Sequence, residues 1–205
     1  MIRPNIQHLT KDEQVAWIKT YEGSVPLDLS WFNLSGCILS GVNLSGFDLS
    51  GANMSHAVII DAKIKGANLT GADMSDAHLH NINFRRSSMT SVNLRRANLY
   101  NINLSMVDLR QADIDDASIV SCSLQHAYMA AAALAHTKIA ISSLQGANLT
   151  DAWLGEAQIA ATNLAHANLT HVNLTDAKII ASDLRGMDLT GACLIRTKFV
   201  CNRED

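Results

Sequence analysis

The sequence predicts an all-β solenoid, a parallel β-helix built from five-residue units and capped at its N-terminus by a short α-helix. Three observations carry that prediction. Stepping five residues at a time from Leu29 to Phe199, all 35 positions are apolar: 22 Leu, 7 Ile, 4 Met and 2 Phe. Two residues before each of these centres the side chain is usually small or apolar, as at Ala52, Ala57, Ala62, Ala67, Ala72 and Ala77. Asn or Asp stands between them in 19 of the 35 units, and nine of the 11 glycines fall two residues after a centre. A period of five matches neither the 3.6 of a helix nor the 2 of a simple strand, so it marks a repeat architecture.

The chain divides into a leading segment, 1–26, a repeat body, 27–201, and a tail, 202–205. In the leading segment Thr10-Lys11-Asp12-Glu13 reads as a capping box, in which the Thr hydroxyl and the Glu carboxylate each satisfy a backbone N–H of the first turn. A helix is expected from Lys11 to Tyr21, with Gly23 as its stop. Val15, Trp17, Ile18 and Tyr21 make it too apolar to stand free. The first coil of a solenoid exposes an apolar disc and unpaired backbone, so this helix is expected to act as a lid, with Trp31 packed beneath it. Both prolines, Pro4 and Pro26, precede the repeat, leaving every coil free to pair with its neighbours.

Within the body, each centre and the residue two before it should point inward. The other three positions should face water, with Asx and Gly serving the turns between sides. Sorting centres by steps of 20 separates one side: Leu39, Ile59, Leu79, Leu99, Ile119, Ile139, Ile159, Ile179 and Phe199 hold five of the seven isoleucine centres. Asx precedes the centre there only at Asn98. This β-branched side should be the flattest and most regular sheet. Its outward column contains Ile60, Tyr100, Val120, Ile180 and Val200, a candidate partner-binding face, with Lys138, Lys178 and Lys198 alongside. Nearly nine coils at a strand spacing of ~4.8 Å give a rod about 42 Å long.

Units such as Ala67-Asn68-Leu69-Thr70-Gly71, Ala147-Asn148-Leu149-Thr150-Asp151 and Ala167-Asn168-Leu169-Thr170-His171 resemble the A(D/N)LXX units of the pentapeptide-repeat family. The resemblance covers the whole repeat body. It implies a right-handed, quadrilateral parallel β-helix with one unit per side and four per coil. The last coil, near Leu184, Leu189, Leu194 and Phe199, is expected to be covered either by the charged tail or by another chain. The resemblance implies the second, end-to-end pairing of C-terminal coils into a homodimer with Leu194 and Phe199 as candidate contacts. Function is less constrained, because the family hosts unlike activities. The main expectation is a non-enzymatic scaffold that contacts proteins through the flat face or the C-terminal end. The resemblance adds two alternatives: a DNA-mimicking binder of a type II topoisomerase, and a bacterial effector delivered to a host cell.

In a polar column of His56, Asp76, Arg96, Asp116, His136, Glu156, Asp176 and Arg196, the stretch Asp76, Arg96 and Asp116 should form an alternating ladder, with Arg95 beside Asp115. A line of side chains does not converge as metal ligands must, and no catalytic constellation or phosphate loop is found. No cofactor is expected. A net charge of −3 demands no direct binding of nucleic acid, and no apolar run reaches membrane-spanning length. Cys37, Cys122, Cys193 and Cys201 fit neither a zinc site nor a disulfide framework, and no N-terminal stretch reads as a secretory signal. A bacterial cytoplasmic location is expected.

Overall fold

The computed structural model describes residues 1–203. Twenty residues make one coil: parallel register joins Val58 to His78, Ile59 to Leu79 and Ile60 to His80. The same offset holds through β1 (Val58–Ile60), β2 (His78–His80), β3 (Asn98–Tyr100), β4 (Ser118–Val120), β5 (Lys138–Ala140), β6 (Gln158–Ala160), β7 (Lys178–Ile180) and β8 (Lys198–Val200). These strands form one eight-stranded sheet in chain order. All eight lie on the β-branched side, and the other sides pair through isolated bridges, from Asp28–Asp48 to Asp183–Arg203. The fold is thus a four-sided parallel β-helix with one unit per side.

The first unit shows how five residues make a side and a corner. Leu29 N–H donates to the Asp48 carbonyl at 2.7 Å, and Asp48 N–H donates back to the Leu27 carbonyl at 2.9 Å. The corner closes with Phe32 N–H on the Leu29 carbonyl at 3.2 Å. Its third residue, Trp31, has φ +62°, which is the positive φ a type II turn demands. Every one of the 35 units repeats that left-handed residue two after its centre, 26 of them without glycine. The Asx before a centre pins the turn by accepting a backbone N–H two residues on, as Asn33 does from Ser35 at 3.2 Å and Asp73 does from Ser75 at 3.0 Å. On the sheet side Val, His, Ser, Lys or Gln replaces it in every strand but β3, which keeps Asn98, and the backbone runs straight enough to pair as strands.

From β1 onward the corner after the sheet side lacks the closing backbone bond. In the later coils side chains of the next coil take its place. Cys122 N–H donates to Ser142 Oγ at 3.0 Å, Thr162 N–H to Ser182 Oγ at 3.2 Å and Ser182 N–H to Asn202 Oδ1 at 2.9 Å. These inward hydroxyls are buried, and each also donates to a carbonyl, as Ser142 does to Ala140 at 2.8 Å. Buried polar groups in the core are tolerable because they are bonded in this way.

All centres from Leu29 to Leu184 are buried in one continuous core, together with the residues two before them. Helix α1 (Lys11–Thr20) closes the first coil. Thr10 forms the capping box with Glu13, whose carboxylate accepts Thr10 N–H at 2.8 Å. Val15 and Ile18 enter the core, while Tyr21 stacks on Trp17 and meets Phe47 edge-on at 6.1 Å. Two expectations fail here. The helix stops at Thr20 with Tyr21 as an extended cap; Gly23 is not its stop but lies under the Tyr21 ring, where a Cβ would clash. Trp31 is not beneath the lid: its left-handed turn position throws the ring outward, 77% exposed, over Gly51 of the next coil.

Candidate interaction surfaces

Strand pairing places the outward column of the sheet side one strand spacing apart, in the order Ile60, His80, Tyr100, Val120, Ala140, Ala160, Ile180, Val200. Tyr100 and Val200 are exposed, whereas Ile60, Val120 and Ile180 are half-buried against their neighbours in the stack. The column has two apolar ends joined by alanines. At one end Ile60, His80 and Tyr100 border a shallow depression with His78 and Asn98, and the His80 and Tyr100 rings meet edge-on at 4.8 Å. Val120 lies beside Tyr100. At the other end Ile180 is in register with Val200. Structure therefore brings Ile60, Tyr100 and Val120 together and sets Ile180 and Val200 apart from them.

The last coil is open along the rod axis. Leu194 is 41% and Phe199 37% exposed, in contrast to the fully covered centres of the middle coils. Backbone pairing continues past the repeat: Arg203 N–H donates to the Ser182 carbonyl and Leu184 N–H to the Arg203 carbonyl, both at 2.8 Å. That cover leaves Leu184 7% exposed but does not reach Leu194 or Phe199. The remaining tail, 204–205, lies outside the described residues.

The polar column forms pairs rather than one alternating ladder. Arg96 donates to both carboxylate oxygens of Asp76, at 2.8 and 2.7 Å. Asp116, expected on its other side, instead takes Arg95, which also reaches Asp115. Arg96 spends Nε and Nη2 on Asp76, and the hydrogen bond to Asp116 comes from Arg95 Nη2 instead. Arg196 repeats the geometry on Asp176. These arginines hold Asp76 and Asp176 below the usual carboxylate range. His136 lies 3.5 Å from Glu156. Among the described residues, no group of three or more His, Cys, Asp or Glu side chains converges as metal ligands would. Among the same residues, no helix is long and apolar enough to cross a membrane.

Sequence reasoning missed several exposed apolar groups, among them Met106, Tyr128, Ile141 and Trp153. Each occupies a turn or pre-centre position, and the only signal was a bulky side chain in a usually polar slot. Burial fixes the thiols: it pushes Cys122 up to about 11 and raises Cys37, while Cys193 is only partly covered and Cys201 is exposed.

These features define a parallel β-solenoid of stacked pentads with a helical N-terminal lid. The profile of pentapeptide repeats matches eight copies between residues 28–129 and 142–200, and the chain belongs to the pentapeptide repeat family. Among solved structures, HetL, a pentapeptide repeat protein involved in heterocyst differentiation regulation in Nostoc, is 22% identical over 82% of this chain and 87% of its own, with a TM-score of 0.45. QnrB1, a plasmid-mediated fluoroquinolone resistance protein, is 22% identical over 82% and 83%, with a TM-score of 0.40. A pentapeptide repeat protein from the Arabidopsis thaliana thylakoid lumen is 31% identical over 48% and 68%, with a TM-score of 0.46. Each is a likeness of repeat architecture and brings no function with it. Comparison with curated proteins returned no match.

Proposed function

We propose that the chain is a rigid, non-catalytic scaffold whose sheet side engages a partner protein. The observation that carries this reading is the outward column from Ile60 to Val200, apolar but for His80 and the Tyr100 hydroxyl, along the one side of the rod whose backbone is a continuous sheet. A flat, rigid apolar surface loses little conformational entropy when it is covered. Lys138, Lys178 and Lys198 flank it, a charged margin of the kind that surrounds interface cores. The exposed Leu194 and Phe199 support, as part of the same reading, a two-fold assembly through C-terminal coils. Unpaired cysteines, two of them buried, fit a cytoplasmic setting.

A topoisomerase-binding duplex mimic receives less support. Asp76, Asp108, Asp176 and Asp183 are each neutralised by an arginine at hydrogen-bonding distance, which breaks up the anionic face a mimic requires.

The test compares wild type with the combined variant Ile60→Thr, Val120→Thr and Ile180→Thr, which keeps β-branched residues in the strands. Immobilised proteins are challenged with native extract and retained proteins quantified, with thermal melts as the control. The reading expects a specific partner to be lost by about tenfold or more from a variant that still melts cooperatively. Equal retention on both would sink it. Inhibition or protection of gyrase in a supercoiling assay would favour the mimic instead.

A further inference from the structure

The geometry points to a second docking surface, on the side following the sheet, that takes an acidic peptide segment carrying an apolar side chain. It is formed by Lys63, Lys65, Arg85 and Arg86 together with Met106 and Tyr128, and it is independent of the Ile60–Val200 column.

Arginine usage elsewhere in the rod sets the contrast. Of the nine arginines, six rest on carboxylates: Arg3 on Asp28, Arg95 on Asp115 and Asp116, Arg96 on Asp76, Arg110 on Asp108, Arg185 on Asp183 and Arg196 on Asp176. Among the described residues, the side chains of Arg85 and Arg86 have no such partner, nor do those of Lys63 and Lys65, and all four are exposed. Of the carboxylates sharing the surface, Asp108 is held by both arms of Arg110, and Asp61, which borders the Lys63 and Lys65 depression, bonds the Asn81 amide at 3.0 Å rather than either lysine.

This cluster costs the fold stability. Lys65 and Arg85 occupy the same position in successive coils, which are joined by Gly66 N–H on the Arg85 carbonyl at 3.2 Å. Like charges one strand spacing apart repel. Arg86 holds a left-handed φ of +66°, where its counterparts one coil before and three coils after are Gly66 and Gly146. Arg86 shares that conformation with 25 other non-glycine turn residues of the repeat, so the turn alone does not set it apart; its guanidinium without a carboxylate does.

The second observation gives the peptide character. One coil beyond Arg86, at the same turn position, Met106 is 58% exposed, and Tyr128 across the corner is 54% exposed. Arg86, Arg110, Met106 and Tyr128 border one shallow depression. A thioether and a phenol ring form an adaptable apolar floor, and the Arg86 guanidinium beside it suits a carboxylate, Arg110 there being bound to Asp108. A long polyanion fits less well. The Lys65–Arg85 column continues as Ser105, Gln125 and Gln145, so the basic run spans only two coils, on a chain of net charge −3. Nucleic-acid surfaces need a longer basic stripe.

The experiment measures fluorescence anisotropy of a labelled peptide of alternating glutamate and serine around a central phenylalanine. Its lysine counterpart and a labelled DNA duplex serve as controls. The glutamate peptide binds wild type, salt weakens the complex, and the double variant R85E/R86E weakens it by about tenfold or more. M106S weakens it less. R86G loses affinity while its melting temperature holds or rises, because glycine relieves the turn; a lower melting temperature would give Arg86 a structural role and overturn the assignment. The proposal also falls if the glutamate peptide fails to bind at low salt, or binds R85E/R86E as well as wild type. Tighter binding of the duplex overturns it in favour of a nucleic-acid surface. The Ile60→Thr, Val120→Thr, Ile180→Thr variant must retain peptide binding, and loss there would refute the independence of the two surfaces.

Discussion

Ser142 and Ser143 are neighbours in sequence with opposite roles, and replacing each by alanine separates them. Ser142 points inward, 7% exposed, accepting Cys122 N–H at 3.0 Å and donating to the Ala140 carbonyl at 2.8 Å. Alanine fits the site, since Ala62 fills the same position four coils earlier. The Ala140 carbonyl keeps its bond from Ser121 N–H. The cost is therefore the Cys122 N–H, left buried without a partner, at about 1–3 kcal/mol. For a chain of this size about 2–4 °C of melting temperature accompanies each kcal/mol, so Ser142→Ala should melt several degrees lower.

Ser143 Oγ is buried with no hydrogen-bond partner among the described residues. Removing it relieves a desolvation cost and leaves no donor orphaned, so Ser143→Ala should be neutral or more stable by up to about 1 kcal/mol. Both changes fall in one coil, which makes any loss of cooperativity along the repeat common to both. Urea unfolding followed by circular dichroism reads the difference. Equal stability of Ser142→Ala and wild type, or an equal loss in both variants, would refute the hydroxyl-ladder account of this corner.

Two further outcomes follow from the same geometry. The Arg185 guanidinium holds the Asp183 carboxyl down at about 2, below its value of about 3.9 in an unfolded chain. Its stabilisation is thus present above about pH 4 and lost as pH falls toward 2; the melting-temperature gap between wild type and Asp183→Asn should close over that window, and a constant gap would contradict the assignment. A thiol reagent followed by peptide mass spectrometry should label exposed Cys201 at once in native buffer. Cys37 and Cys122 should react only after unfolding, and native labelling of Cys122 would contradict its burial.

The fold was legible because the repeat makes one decision and applies it 35 times. Inward leucines every fifth residue fix the side, and a centre column rich in isoleucine marks the sheet. What was hidden depends on choices a period does not encode. Glycine two after some centres suggested the turn, yet the backbone takes a positive φ there with Trp31, Ile141 or Arg86 as well: stacking against adjacent coils overrides local preference. That same position turned Trp31 out from under the lid. Arg96 faced an aspartate on each side in the sequence, yet it bonds Asp76 while Arg95, a competitor from the adjacent position, takes Asp116. The open corner after the sheet side was invisible because Ser142, Thr162 and Ser182 look like interruptions of an apolar column until their carbonyl and amide partners are seen.

The central claim is that the chain advances by one strand spacing for every twenty residues. Spin labels at His78 paired in turn with Lys138, Gln158 and Lys178, with the native cysteines replaced as background, measure this by electron–electron resonance. All four positions precede centres on the sheet side. The separations should grow in equal steps of about 4.8 Å per added coil. Unequal steps, or increments near the roughly 30 Å that twenty helical residues would span, would contradict the account.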